Sequence, residues 1–222
     1  MKTVDNDPGL FECMLNMRAM RRLKKDPVPQ HMIDTILTAA THAPSGQNTQ
    51  RWSFLVITDD EGRAFYGHHY KYWLYKLMGD HAPPEGDTSK AARQMNAAIH
   101  LADHMHEVPL IILACGKRDW PFVVPEEERV GLAPPSYGSI YPAVQNLLLA
   151  CRGLGLGASL TTMHQMFEEE LYEFFGIPEE YGVVAGIPIG FPEGNFGPVR
   201  RRPITEKAHN GRWGIQYEAA SS

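Results

Sequence analysis

Cysteine is scarce in this chain: its three copies, Cys13, Cys115 and Cys151, stand far apart with no CxxC pair among them. That spacing excludes a zinc ribbon and a dithiol redox motif. It points to a reducing compartment, the cytoplasm, with each thiol acting as a small buried hydrophobe. No apolar run approaches the length of a membrane span, and the opening MKTVDNDPGLFE carries acids where a secretory leader needs an uninterrupted apolar core. Neither a span nor a leader is therefore expected. No G-x-x-x-x-G-K-[ST] loop occurs. Gly153, Gly155 and Gly157 follow a predicted helix and precede a strand, the reverse of the order in a Rossmann cofactor site. Ser45, Ser139 and Ser159 lack a G-x-S-x-G elbow, and no cysteine sits in a cationic turn. His100 and His104 share a helix face, but His106 cannot join them and no further ligand has matching spacing, so no metal site is expected.

Acids outnumber bases, 26 to 21, giving a net charge of −5. That balance disfavours nucleic acid as a partner. The basic residues are nonetheless clustered. Arg18, Arg21, Arg22, Lys24 and Lys25 form one group, and Arg200, Arg201 and Arg202 form another. Two local cationic groups in an acidic chain suit a discrete anion such as a phosphate, or else two solvated faces.

With 222 residues and 43% hydrophobic content, the chain is long enough for one domain, residues 1–222, whose core needs no disulfide. Asp7-Pro8 reads as a helix start, with Leu10, Phe11, Met14, Leu15 and Met17 following. Pro27 and Pro29 impose an extended joint, and Ile33, Ile36, Leu37 and Ala40 form a helical stripe that stops by Pro44. Strands are predicted at 52–58, 110–115, 158–162 and 182–191. Helices are predicted at 91–107, 141–154 and 165–175. Between the first two strands, residues 65–78 crowd Phe65, Tyr66, Tyr70, Tyr72, Trp73 and Tyr75 around His68 and His69. That stretch suits either a core helix or a lid over an aromatic substrate. Residues 80–87 read as a mobile loop, and residues 192–222 as an extended arm lying across a surface. The layout is α/β, in the α+β sense, with about four to five strands flanked by helices.

The densest polar feature is Ala43-Pro-Ser-Gly-Gln-Asn-Thr-Gln-Arg-Trp52. Ser45, Gln47, Asn48, Thr49 and Gln50 bring five hydrogen-bonding side chains into one turn. Such a turn suits a polar planar ligand.

Taken in order, Arg18-Ala19-Met20-Arg21, Ala43 through Trp52, Leu154-Gly155-Leu156-Gly157 and Arg201-Arg202-Pro203 resemble the motifs of the FMN-dependent nitroreductase superfamily. The resemblance spans residues 17–203 and implies a mostly antiparallel sheet and a homodimer that exchanges its C-terminal arms. It also implies an FMN shared between the chains. In that likeness Arg18 and Arg201 hold the phosphate, with Ala19 and Met20 beside them, and Arg21 approaches the flavin pyrimidine. Pro44, Ser45, Gly46 and Asn48 contact the flavin from the neighbouring chain, and Leu160, Thr161 and Thr162 line the ring. Gln47, Tyr70 and Trp73 are expected to face the substrate, and no side chain serves as a conventional acid or base. Met17 and Ala19 stand where some relatives carry arginine and serine, leaving Arg22, Arg200 or Arg202 to compensate. A lysine found near the flavin in some relatives has His104 as its nearest counterpart. The resemblance implies reduction of nitroaromatics, quinones or related electron-poor aromatics with NADH or NADPH. Reductive dehalogenation of halotyrosines is the alternative, and a non-catalytic flavin sensor is the reading from another class.

Overall fold

The structure is a computed structural model that describes residues 8–120, 123–135 and 137–219. Its elements run α1 (Leu10–Asn16), α2 (Gln30–Thr41), β1 (Trp52–Ile57), α3 (Asp60–Met78), α4 (Lys90–His104), β2 (Leu110–Lys117), α5 (Tyr137–Gly153), β3 (Gly157–Ala158), α6 (Glu168–Phe175) and β4 (Tyr181–Gly190). The order of helices and strands is the one the sequence predicts. The four strands form one antiparallel sheet in the order β1-β2-β4-β3.

Strand geometry explains the two-layered core. Side chains alternate between the faces of a strand. On β2, Leu110, Ile112 and Ala114 enter one cluster with Ile33 and Ile36 of α2 and Val144 and Leu147 of α5. Ile111, Leu113 and Cys115 enter the other with Tyr66 and Tyr70 of α3, Leu101 of α4 and Leu171 of α6. Both faces of β2 are thus covered, which is why its sequence is a continuous apolar run. A register shift at Ala114/Cys115 lets Val184 and Ala185 of β4 both join the first cluster.

Local signals fix several boundaries. The Asp59 side chain accepts from the Gly62 amide at 2.7 Å and starts α3, and Ser89 does the same for the Ala92 amide at 3.1 Å in α4. Gly176, at φ 62°, closes α6 in the left-handed conformation.

Other boundaries differ from expectation. Asp7 lies outside the described residues, and Gly9 at the start of α1 makes no side-chain cap. Helix α5 begins at Tyr137, so Pro142 sits inside it rather than in its first turn. The strand predicted at 158–162 is only Gly157–Ala158 plus a single bridge from Thr161 to Gly186. Residues 163–167 form a 3-10 turn ahead of α6. The first part of the arm lies on its own chain: Val199 N–H donates to Leu15 O and Glu193 N–H to Arg22 O. No helix among the described residues is long and apolar enough to cross a membrane.

Candidate functional site

The first basic group lies beyond α1, not on it. Met17 leaves the helix with extended backbone (φ −70°, ψ 121°), and the chain then runs along the short strand β3. The Met20 amide donates to Ala158 O at 3.0 Å, Lys24 N–H donates to Phe191 O at 2.8 Å, and Leu23 bridges Pro192. Met20 turns inward and is buried, while Arg18 and Ala19 are exposed. Gly157 makes this passage feasible. A Cβ there would lie 2.8 Å from Leu23 Cδ2 and 2.9 Å from Met20 Cβ. Gly155 takes the left-handed turn into β3 at φ 74°. The Gly-Leu-Gly segment therefore serves a turn and a close backbone approach.

This passage builds one wall of a cavity of about 210 Å³. Met17, Arg18 and Ala19 meet Leu148 and Arg152 from the end of α5, Ser159 and Leu160 from beyond β3, and Phe196 and Arg201 from the arm. The two basic groups, remote in sequence, thus each place an arginine on one cleft. Arg18 donates to Asn195 O at 2.7 Å and Arg201 to Arg200 O at 3.1 Å, so each guanidinium keeps further donors. Arg22, Arg200 and Arg202, expected to compensate for the missing contacts, do not line this cavity. Arg22 instead meets His100 Nδ1 at 2.9 Å. The third guanidinium comes from Arg152, which neither basic group contains.

Arg21 is half-buried and makes no side-chain hydrogen bond or ion pair among the described residues. Its charge is felt at Tyr70, whose phenol is nonetheless held above its ordinary pKa, chiefly by burial. Leu160 is on the cavity wall, with Thr161 and Thr162 directly after it. Thr161 gives its hydroxyl proton to Gly186 O at 2.7 Å, which leaves Thr162, exposed and without a side-chain hydrogen bond, as the available hydroxyl of the pair. Beneath them His164 is fully buried, with Nε2 2.9 Å from Val183 O, and burial lowers its pKa.

The Ser45–Gln50 turn is strained and largely self-satisfied. Gln47, Asn48 and Gln50 all have positive φ, at 52°, 54° and 49°. Such a run of left-handed non-glycine residues marks a functional segment. Ser45 Oγ accepts from the Gln50 amide at 3.0 Å, Thr49 Oγ1 donates to Gly46 O at 2.9 Å, and Gln50 Nε2 donates to Asn48 Oδ1 at 3.2 Å. Of the five polar side chains, Gln47 alone makes no hydrogen bond among the described residues. The Gly46 amide lies 3.4 Å from Ser139 Oγ, at the start of α5, whereas Arg152 ends that helix. Turn and cleft are therefore separated by roughly 20 Å of helix at 1.5 Å per residue. One chain brings Arg18, Ala19, Leu160 and Arg201 together, and leaves Pro44, Ser45, Gly46 and Asn48 apart from them.

The aromatic stretch is a core helix. Tyr66 is fully buried and Tyr70 is 6% exposed, so Tyr70 fills the second cluster and walls no open pocket. Trp73 packs against the same cluster with Lys76 Nζ 4.2 Å from its ring centroid. That cluster is across the sheet from α5, so Gln47 does not meet Tyr70 or Trp73 within one chain. His104 is on α4, stacked on His100 at 4.2 Å and bonded to its carbonyl, and does not line the cleft. Among the described residues no group of three potential metal ligands converges. No disulfide links the three cysteines, and burial pushes the Cys115 and Cys151 thiols up to about 12, which leaves both inert as nucleophiles.

Sequence reasoning missed Arg152, Ser159 and Phe196. Arg152 was legible only as a basic residue just before the Gly-Leu-Gly segment. Nothing local signals the other two.

The chain is similar to an NADH dehydrogenase of Thermus thermophilus, 27% identical over 86% of this chain and 90% of that relative. It is likewise similar to a nitrobenzene nitroreductase of Ectopseudomonas oleovorans, 25% identical over 85% of this chain and 89% of that one. Its fold matches a crystal structure of oxidized iodotyrosine deiodinase bound to FMN and 3-iodo-L-tyrosine, with a TM-score of 0.65, 21% identity, and coverage of 95% of this chain and 100% of that one. The model of the nitroreductase family matches residues 15–191. With that span covering both the basic passage and the sheet, the chain belongs to the nitroreductase family of oxidoreductases.

Proposed function

We propose that this protein is an FMN-dependent NAD(P)H oxidoreductase that reduces nitroaromatics, quinones or related electron-poor aromatics in two successive half-reactions. The observation that carries the reading is the meeting of Arg18 and Arg201 on one cleft beside Leu160. Guanidinium forks suit a phosphate, and in a chain of net charge −5 their convergence calls for an anion. The Arg152 Nε and the Ser159 hydroxyl, both buried with no partner among the described residues, fit a polar ligand at the same place.

Bound FMN would supply hydride acceptance from the nicotinamide and delivery of the reducing equivalents to the acceptor. The chain's own residues bind and orient. Arg18 and Arg201 hold the phosphate, and Leu160 gives an apolar surface for the ring. Thr162 offers the one hydroxyl of its pair not already committed. Arg21, half-buried and unpaired, is a cation free to face the pyrimidine edge, where it would favour the reduced, negatively charged form.

Two features support a homodimer with shared sites. The 210 Å³ cavity falls below the roughly 300–1,000 Å³ of small-molecule sites, which fits a site that a second chain enlarges. Helix α1 exposes Leu10, Phe11, Met14 and Leu15, and the arm exposes Trp213, Ile215 and Tyr217, apolar surface suited to a partner. In that dimer the Ser45 turn of one chain, far from its own cleft, serves the other's flavin.

The free Thr162 hydroxyl favours a second reading, reductive dehalogenation of halogenated aromatics, because a donor near the ring stabilises one-electron steps. Anaerobic titration of the FMN-loaded protein with NADH and NADPH, then reoxidation by nitroaromatic, quinone and halophenol panels, separates these readings. Bleaching by a nicotinamide with reoxidation by nitroaromatics or quinones is expected. Reoxidation by halophenols alone would favour dehalogenation, and failure to bleach would favour a sensor.

A further inference from the structure

We infer that Arg152 is a third phosphate-binding arginine of the cleft and that Ser159 donates a hydrogen bond to the same ligand. The inference rests on the flavin nucleotide reading above and adds two residues to it.

Arg152 reaches the cavity from the last turn of α5, with its side chain only 12% exposed. Its guanidinium carbon lies 4.3 Å from the centre of the Phe196 ring, so an aromatic plate from the arm holds the fork in place. Among the described residues its one ion pair is with Glu12, at 3.4 Å, and that carboxylate is 57% exposed. Such a long, solvated contact contributes little. The Nε hydrogen is buried with no acceptor among the described residues. A planar fork fixed by stacking, with spare donors in a cleft already carrying Arg18 and Arg201, is arranged for a multiply charged oxyanion. Ser159 provides the independent observation. It is 2% exposed and lines the same cavity, and its hydroxyl has no partner among the described residues. A buried hydroxyl without a partner is costly, and a ligand oxygen in the cavity removes that cost.

Glu12 competes with the ligand for Arg152, and this gives the test its opposing signs. Apoprotein is titrated with FMN and, separately, with riboflavin, which lacks the phosphate, following flavin fluorescence; thermal unfolding is recorded in parallel. Wild type preferring FMN over riboflavin supports the underlying reading, and no binding of either removes that reading itself. Given that preference, R152Q is expected to lose FMN affinity by about 10- to 100-fold with riboflavin affinity unchanged. E12Q is expected to leave FMN affinity unchanged or to tighten it. S159A, a small change in a buried site, is expected to weaken FMN binding by about 3- to 10-fold at an unchanged melting temperature. If R152Q and E12Q lower the melting temperature alike and both leave the FMN-to-riboflavin ratio at the wild-type value, Arg152 is only the structural partner of Glu12. R152K keeps the charge and guards against misfolding: intermediate FMN affinity supports the fork, and wild-type affinity overturns it. Wild-type FMN affinity in S159A overturns the role of the serine.

Discussion

The cleft and the Ser45 turn are built in opposite ways. Segments 17–19, 148–160, 196 and 201 meet at the cleft, held together by the Met20–Ala158 hydrogen bond and by the room Gly157 leaves. The turn is six consecutive residues that satisfy most of their own hydrogen bonds while holding three left-handed backbones. The cleft leaves donors unsatisfied, whereas the turn presents little beyond Gln47 and its strained backbone. A ligand that needs charge is met by the first, and one that needs a shaped edge by the second. About 20 Å of α5 lies between them, and under the proposed shared site a single flavin meets both across two chains.

The sharpest way to break this contrast is subunit mixing. R18A/R201A chains lose the cleft, and chains with residues 45–48 replaced by alanine and glycine lose the turn, so each homodimer is expected to be inactive. Unfolding and remixing the two in equal amounts should restore about a quarter of the wild-type sites, because half of the dimers are mixed and each of those has one intact pair. No recovery would place turn and cleft in the service of one chain's site.

Next in size is Gly157→Val. Its methyl groups would press on Leu23 and Met20, and the expected destabilisation is about 1–3 kcal/mol, with loss of FMN retention. Urea unfolding and flavin content measure the two. Unchanged stability would mean that the basic passage yields easily.

A smaller effect follows from His164 beneath Thr162. Burial lowers its folded pKa, so below the unfolded value of about 6.5 the unfolded chain takes up a proton that the folded chain refuses. Stability is fully present above that pH and falls as the solution is acidified towards the lower folded value. His69 and His100 are lowered in the same direction, also mainly by burial. His164→Leu should therefore shallow the decline between pH 7 and 5 without abolishing it, as read from urea midpoints. An unchanged slope would assign the acid sensitivity elsewhere.

The smallest change is expected at Ser45→Ala, which strands the Gln50 amide at an exposed turn. About 0.5–1.5 kcal/mol of stability should be lost, as read from urea midpoints. An unchanged midpoint would mean that the Ser45–Gln50 hydrogen bond contributes nothing to the turn.

Much of this molecule was legible in its residues because the relevant signals are local. The continuous apolar run at 110–115, the Asp59 cap and Gly176 each act within a few positions, and the order of elements followed from such signals. The turn was conspicuous for the same reason, though its side chains were read as free when most are spent on one another. Tyr70 and Trp73 could not be placed from sequence: a run of aromatics looks alike whether it walls a pocket or fills a core, and within one chain both pack on the second cluster. The shortened strand at 157–158 had another cause: Ser159 N–H reaches Pro188 O, but proline has no N–H to return, so the ladder breaks before the Thr161–Gly186 bridge.

The sequence by itself carried the family and the α+β layout, through motifs and periodicities that survive in any environment, and pointed to Arg18 and Arg201 as candidates. Tertiary structure alone decided that Arg152, and not Arg22, Arg200 or Arg202, shares their cleft, that Ser159 is buried without a partner among the described residues, and that the turn stands a helix length away. Those outcomes depend on which remote segments pack side by side, and proximity of that kind is set by the folded chain as a whole.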